Sequence, residues 1–202
     1  MHKEKDYTVP ETFLDEQGIS PMQRSVLVNW LIKKHDSLDL LPETLHLCIY
    51  LVDRVLEKFV PAWSDAEAVG LGALLAARKY TESYETLPPD AEVLSGLVDG
   101  DVSPAYIRES ERMALEAAAF NLGRTDSSTF LRSFFSGLSP DVCWTATYFA
   151  ELTLLDSTLS SVRPSFIAAG SLWAAAKIKE VPLNVTEVFG DLPFSNTEEE
   201  IQ

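Results

Sequence analysis

An eleven-residue segment occurs twice in this chain, and the repeat limits the folds available to it. Val69–Lys79 (VGLGALLAARK) reappears 98 residues later as Ile167–Lys177 (IAAGSLWAAAK), and the same shift pairs Tyr50 with Tyr148. A helix this rich in alanine and glycine lets neighbouring helices approach closely, as the central helix of a bundle must. A solenoid has a much shorter repeat unit, so the spacing favours two tandem copies of one helical domain.

Helix signals dominate the chain, and strand signals are nearly absent. Ser-Pro pairs begin at Ser20, Ser103 and Ser139. The serine can cap free amides of a first helical turn, and the proline is preset for the first helical position. Ser64 with Glu67 fits a capping box. The fold class is therefore all-α, with helices predicted near residues 10–16, 20–36, 42–60, 64–83, 90–98, 103–121, 127–136, 139–157, 163–180 and 184–190.

Composition and charge exclude several classes of protein. Apolar residues make up 46% of the 202 residues, enough for a real core, but no apolar run is long enough to span a membrane. The net charge of −15 would repel phosphate backbones, so nucleic acid is not expected as a direct partner. Cys48 and Cys143 match no metal or redox spacing and are predicted to be buried, reduced thiols. We expect a soluble protein of the nucleus or cytoplasm.

No catalytic constellation stands out. The histidines His2, His35 and His46 are scattered, and His46 cannot face Cys48 from two positions away on one helix. No glycine-rich phosphate loop follows a strand, and the carboxylates fit solvated helix faces. The sequence predicts a binding module without a cofactor or a metal, and not an enzyme.

Several motifs, in order and at consistent spacing, resemble the cyclin family, and A/B-type cell-cycle cyclins in particular. The similarity runs from about Ser20 to Lys177. The segments that carry it are Gln23–Leu31, Pro42–Leu47, Tyr50–Arg54, Leu75–Glu82, Glu111–Leu115 and Phe120–Leu122 in the first half, and Phe149–Asp156 and Arg163–Gly170 in the second.

The resemblance implies two tandem cyclin-box helical bundles of about five helices each. Residues 1–19 would form an N-terminal segment with a short helix, and residues 20–123 the first cyclin box. Residues 124–202 would form a second, incomplete cyclin box and an acidic tail. The second box is expected to be truncated, because family members continue for two or more helices beyond the equivalent of Lys177.

The family places a lysine and a glutamate against its kinase, and Lys79 and Glu111 occupy those positions. The lysine ammonium could donate to, and the glutamate carboxylate could accept from, backbone groups of a helix of the partner. The two residues alone favour an ordinary surface ion pair, and the surrounding motif favours the kinase contact. Further kinase contacts implied by the resemblance are Tyr80, Glu82, Leu115, Phe120, Phe13 and Leu14. Of these, Tyr80, Leu115 and Phe120 could equally be core, and Phe13 and Leu14 lie on the short leading helix.

Substrate-recruiting cyclins carry an exposed apolar patch on their first helix that captures Arg-x-Leu motifs. The residues that would form it here are Arg24, Val26, Leu27, Trp30 and Glu67. Gln23 replaces the usual methionine, and Lys33 stands where the family uses a glutamate to meet the incoming arginine. Like charges would weaken that docking, so these residues could instead pack the core.

The function implied is that of a cyclin-like regulatory subunit. It would bind and activate a cyclin-dependent serine/threonine kinase as a heterodimer, with kinase substrates or inhibitors as further partners. One alternative is a cyclin-fold scaffold or transcription-factor-type interaction module without a kinase. Another is an orphan or viral-type cyclin that binds its kinase constitutively, because fold alone does not decide function.

Overall fold

The computed structural model describes residues 8–10, 12–59, 61–83, 90–98 and 102–183, and all regular structure in this part of the chain is helical. The all-α prediction is confirmed. None of the described helices is long and apolar enough to cross a membrane. The α-helices are α1 (Pro21–Ser37), α2 (Pro42–Lys58), α3 (Ala66–Thr81), α4 (Ala91–Ser95), α5 (Pro104–Ala117), α6 (Ser127–Phe134), α7 (Pro140–Thr153) and α8 (Pro164–Ile178).

The serine–proline starts are confirmed. At α1, the Ser20 hydroxyl accepts the Gln23 N–H at 3.1 Å, and the Gln23 side chain accepts the Ser20 N–H at 2.9 Å. This reciprocal box satisfies two amides that a helix start leaves free. The Ser103 hydroxyl accepts the Tyr106 N–H at 3.2 Å at the start of α5.

The predicted capping box at Ser64 and Glu67 is wrong. A 3-10 turn at Trp63–Asp65 precedes α3, which begins at Ala66. Ser64 therefore lies inside the turn, and its hydroxyl contacts the Asp65 carboxylate at 3.5 Å instead of a helix amide.

The short helix predicted near residues 10–16 is a 3-10 helix at Asp15–Gln17, so its bounds lie later in the chain than predicted. Gly18 ends it at a φ of 66°, a left-handed conformation that glycine adopts without steric cost. The helix predicted at residues 184–190 lies outside the described residues.

The chain divides into two compact units. The first unit comprises Met1–Arg124 and Leu154–Ser161, and the second comprises Thr125–Thr153 and Val162–Gln202. In the first unit, twelve of the seventeen residues of α2 are buried. Its apolar positions cover most of the helix circumference, so neighbouring helices surround it.

In its described part, the second unit is built from α6, α7 and α8. Its core is small and rich in alanine, because Ala146 and Ala150 of α7 pack with several alanines of α8. Partly buried aromatic side chains surround that core: Phe130, Phe134, Phe135, Phe149 and Phe166.

Two equivalent glycines of the repeat have opposite surroundings. A Cβ on Gly72 of α3 would lie 2.5 Å from the Glu111 nitrogen and the Ser110 carbonyl carbon of α5. No real Cβ fits there, so only glycine lets the two backbones approach so closely. Gly170 of α8, 98 positions later, has nothing within 4 Å of the same point.

We predict that alanine at these two glycines has effects of opposite sign. Gly72→Ala should lower the free energy of unfolding by about 3 kcal/mol, because overpacking forces α3 and α5 apart. Gly170→Ala should raise it by roughly 0.5–1 kcal/mol, the helix-propensity gain of alanine over glycine. Urea unfolding followed by circular dichroism measures both. A neutral Gly72→Ala variant would contradict the close approach of α3 and α5.

Candidate partner-binding face

Lys79 and Glu111 lie together, as the resemblance implies. The Lys79 Nζ donates to both carboxylate oxygens of Glu111, at 2.6 Å and 2.9 Å. The Lys79 side chain is 55% exposed and that of Glu111 is 13% exposed. The ammonium therefore faces solvent, while the carboxylate is held close to the helices.

The backbone explains why these two residues meet. Lys79 lies in the last turn of α3, where a positive charge is favoured by the helix dipole. Glu111 follows Ser110 on α5, at the point where α5 passes Gly72. The pair thus joins two helices that already pack tightly. Exposed pairs of this kind contribute roughly 0–1 kcal/mol to stability, so the fold does not depend on it.

Three large side chains lie near the pair along the chain: Tyr80 follows Lys79, Leu115 is one helical turn after Glu111 on α5, and Phe120 comes three residues after the end of α5. Tyr80 is 55% exposed and Phe120 is 67% exposed, whereas Leu115 is half-buried. We call the surface formed by these three residues with Lys79 and Glu111 the α3–α5 face. Aromatic residues are enriched at the centres of protein–protein interfaces, so the rings of Tyr80 and Phe120 make this face a candidate for a partner.

Glu82 has a structural role instead of a place on this face. Its Oε1 accepts hydrogen bonds from the Leu41 N–H at 2.8 Å and from the Thr44 hydroxyl at 2.5 Å. Leu41 cannot cap α2 with its own side chain, so Glu82 satisfies the helix start from another element. The sequence prediction of Glu82 as a partner contact overlooked this cap.

Phe13 and Leu14 are also not available to a partner in this structure. They are only 1% and 3% exposed and pack in the core of the first unit. Their burial packs residues 13–14 against the helices of the first unit. The partner contacts implied for these two side chains are therefore corrected to core packing.

The five residues of the implied recruitment patch do not form one exposed surface. Leu27 is 3% exposed and belongs to the core, while Val26 is 58% exposed. Trp30 is half-buried, with the Lys34 ammonium 5.3 Å from its ring centre. Glu67 is exposed. Arg24 is buried in an ion pair, so the core-packing alternative is correct for Arg24 and Leu27.

The Arg24–Asp53 pair is the main polar element inside the first unit. The guanidinium binds both carboxylate oxygens, at 2.7 Å and 2.8 Å, and the arginine is 1% exposed. It also donates to the Leu154 carbonyl at 2.8 Å and to the Ser160 hydroxyl at 3.0 Å. Ser160 in turn donates to Asp53 at 3.0 Å. The pair thereby fixes the segment Leu154–Ser161 against α1 and α2.

The surroundings set the ionisation of two buried groups. Burial by itself lowers the pKa of the Arg24 guanidinium, but the charge and hydrogen bonds of Asp53 outweigh it and raise that pKa above its ordinary value. Burial raises the pKa of the Cys48 thiol well above its usual range, so the thiol stays protonated. Cys143 is only half-buried, which corrects its expected burial.

Sequence reasoning missed the partner of Arg24. Asp53 lies in the otherwise apolar stretch of α2, and a lone carboxylate in such a helix signals a buried partner. Spacing alone could not identify Arg24 as that partner, because the two residues lie on different helices. Among the described residues, no group of three side chains is placed to hold a metal ion.

Comparison with known proteins places this fold and sequence in one family. The family model for the cyclin N-terminal domain matches residues 1–123, and the model for the cyclin C-terminal domain matches residues 127–191. The chain belongs to the cyclin family and contains two cyclin-box domains.

Individual relatives agree. The chain is 32% identical over 193 residues to the G2/mitotic-specific cyclin-B1 of Caenorhabditis elegans, covering 90% of this chain and 53% of that protein. It spans about half the length of the curated relatives it matches. A viral cyclin from herpesvirus saimiri superposes with a TM-score of 0.75 at 18% identity, over 88% of this chain and 81% of the viral one. A chain of the yeast RNA Pol II CTD kinase CTDK-1 complex superposes with a TM-score of 0.73 at 14% identity. The match covers 91% of this chain and 67% of the yeast one.

We predict that Arg24→Met lowers the free energy of unfolding by about 3–5 kcal/mol, because it leaves the Asp53 charge buried without its partner. Replacing both residues, as Arg24→Met with Asp53→Leu, should recover most of that loss. Urea unfolding measures both. Arg108→Met, which removes an exposed pair with Glu92, is the control and should cost less than about 1 kcal/mol. A loss that small for Arg24→Met would refute the structural role of the pair.

Proposed function

We propose that this chain is the regulatory subunit of a cyclin-dependent serine/threonine kinase and binds that kinase through the α3–α5 face. The observation that carries the proposal is the Lys79–Glu111 pair, flanked by the exposed rings of Tyr80 and Phe120, in a protein of the cyclin family. One of the solved structures with the same fold is a chain of a kinase complex. The partner would be a kinase catalytic subunit in a heterodimer, inside the cell.

The geometry suits a protein contact with a central anchor. The Lys79 ammonium keeps a free direction toward solvent, so it can donate to a backbone carbonyl of a partner while it stays paired with Glu111. The rings of Tyr80 and Phe120 would exclude water around that contact and strengthen it. Apolar area then supplies affinity, and the charged pair supplies orientation.

Activation would follow from differential binding. Kinases work when a lysine–glutamate pair and the activation loop are both in place. A subunit that binds only this arrangement shifts the kinase population toward it. The cyclin chain would then need no catalytic chemistry of its own.

We predict that exchanging the two charges, as Lys79→Glu with Glu111→Lys, lowers kinase activation at least tenfold. The exchange keeps both the ion pair and the net charge, so the fold should remain, but the donor and acceptor positions are inverted for a partner. Activation is measured as histone phosphorylation by a recombinant mitotic cyclin-dependent kinase subunit. Circular dichroism checks the helical content.

The matched control is the exchange Arg108→Glu with Glu92→Arg, which inverts the ion pair that joins α4 to α5. This variant should activate like the unmodified chain. Full activation by the Lys79/Glu111 exchange would exclude the pair as the binding anchor. Failure of the unmodified chain to bind the kinase would instead favour the scaffold function.

A further inference from the structure

The turn that ends α5 holds an unusual backbone conformation. Ala119 and Phe120 have φ values of 50° and 56°, in the left-handed region that side chains other than glycine disfavour. In the described part of the chain, Asp39 and Glu180 are the other non-glycine residues with positive φ, and each stands alone. Two consecutive residues of this kind persist only when their surroundings fix them.

Backbone hydrogen bonds close this turn on the helix. The Phe120 N–H donates to the Leu115 carbonyl at 2.8 Å, and the Ala119 N–H donates to the Glu116 carbonyl at 2.9 Å. These bonds satisfy carbonyls that a helix end leaves free. Ala118 is buried, at 6% exposure, so the start of the turn is packed against the core.

A lysine from another helix adds a second restraint. Lys58, the last residue of α2, donates from its Nζ to the Ala117 carbonyl at 2.5 Å. Ala117 is the last residue of α5, so the ammonium lies at the negative end of that helix dipole. The end of α2 thereby holds the end of α5.

The restrained turn leaves the Phe120 side chain exposed. Phe120 remains 67% exposed, although it follows a buried alanine by only two residues. Farther along, a Cβ on Gly123 would lie 3.3 Å from the Tyr80 hydroxyl, so the chain leaving the turn passes directly beside Tyr80. The chain three residues after Phe120 is therefore next to Tyr80.

We infer that Lys58 and the left-handed Ala119 are positioning residues, which hold Phe120 as a preformed aromatic anchor for the protein partner of the α3–α5 face. This inference rests on the proposed function. A ring fixed in its bound orientation loses little conformational freedom on binding, so the complex forms at a lower entropic cost. Neither residue needs to touch the partner.

Variants separate positioning from contact. Lys58→Met keeps the length of the side chain but removes the donor, and Lys58→Arg keeps a donor. Ala119→Val introduces a β-branched residue that resists the left-handed region, whereas Ala119→Asn tolerates it. Affinity is measured by biolayer interferometry against a recombinant mitotic cyclin-dependent kinase subunit. Hydrogen exchange at the Ala119 and Phe120 amides reports whether the turn is intact.

Lys58→Met and Ala119→Val should each weaken kinase binding about three- to tenfold and speed amide exchange in the turn. Phe120→Ala should weaken binding at least tenfold without faster exchange at residue 119. Lys58→Arg and Ala119→Asn should bind within about twofold of the unmodified chain. A contact residue is thus one whose loss weakens binding without faster amide exchange, and a positioning residue is one whose loss changes both.

Unchanged affinity for Lys58→Met, in a chain that still binds kinase and responds to the Lys79/Glu111 exchange, would overturn this inference and leave the proposed function intact. The same conclusion follows if Lys58→Met weakens binding without altering exchange in the turn. If Ala119→Val fails to fold, Lys58→Met decides the matter. No binding by the unmodified chain would overturn the proposed function and, with it, the inference.

Discussion

The contact between α3 and α5 at Gly72 is the constraint on which the first unit depends. A backbone approach this close requires a residue without a side chain, since any Cβ would lie 2.5 Å from Ser110 and Glu111. The contact fixes the position of α5 along α3. It thereby brings the Glu111 carboxylate within 2.6 Å of the Lys79 ammonium. The candidate site is thus a product of backbone packing more than of attraction between charges.

The buried Arg24–Asp53 pair plays a different part. Desolvating two charges costs energy that their attraction barely repays, so such a pair adds little net stability. The pair instead specifies one arrangement of the chain, because the guanidinium also donates hydrogen bonds to the Leu154 carbonyl and the Ser160 hydroxyl. A segment late in the chain is therefore held on the first unit by polar contacts with strict geometry. A hydrophobic pair in place of Arg24 and Asp53 could give the same stability, but it would not fix the position of the segment Leu154–Ser161.

The α3–α5 face combines features that contribute little to the stability of the fold. Its ion pair is too exposed to stabilise the fold by much, and its aromatic rings face water. The turn at Ala119 and Phe120 has an unfavourable backbone conformation, which Lys58 and the backbone hydrogen bonds of the turn hold in place. Under the proposed function, each feature would become favourable when the kinase covers the surface. A regulatory subunit that acts by differential binding has this profile.

The sequence by itself determined the helices, because caps such as Ser20 and Ser103 and the 3.6-residue apolar spacing act locally. Family motifs also identified Lys79 and Glu111, which the fold brings together. Only the tertiary structure decided which residues were exposed. Phe13 and Leu14 are in the core, Arg24 is paired with Asp53, and Glu82 caps α2. These outcomes depend on contacts between elements far apart in the chain, and local pattern carries no record of such contacts.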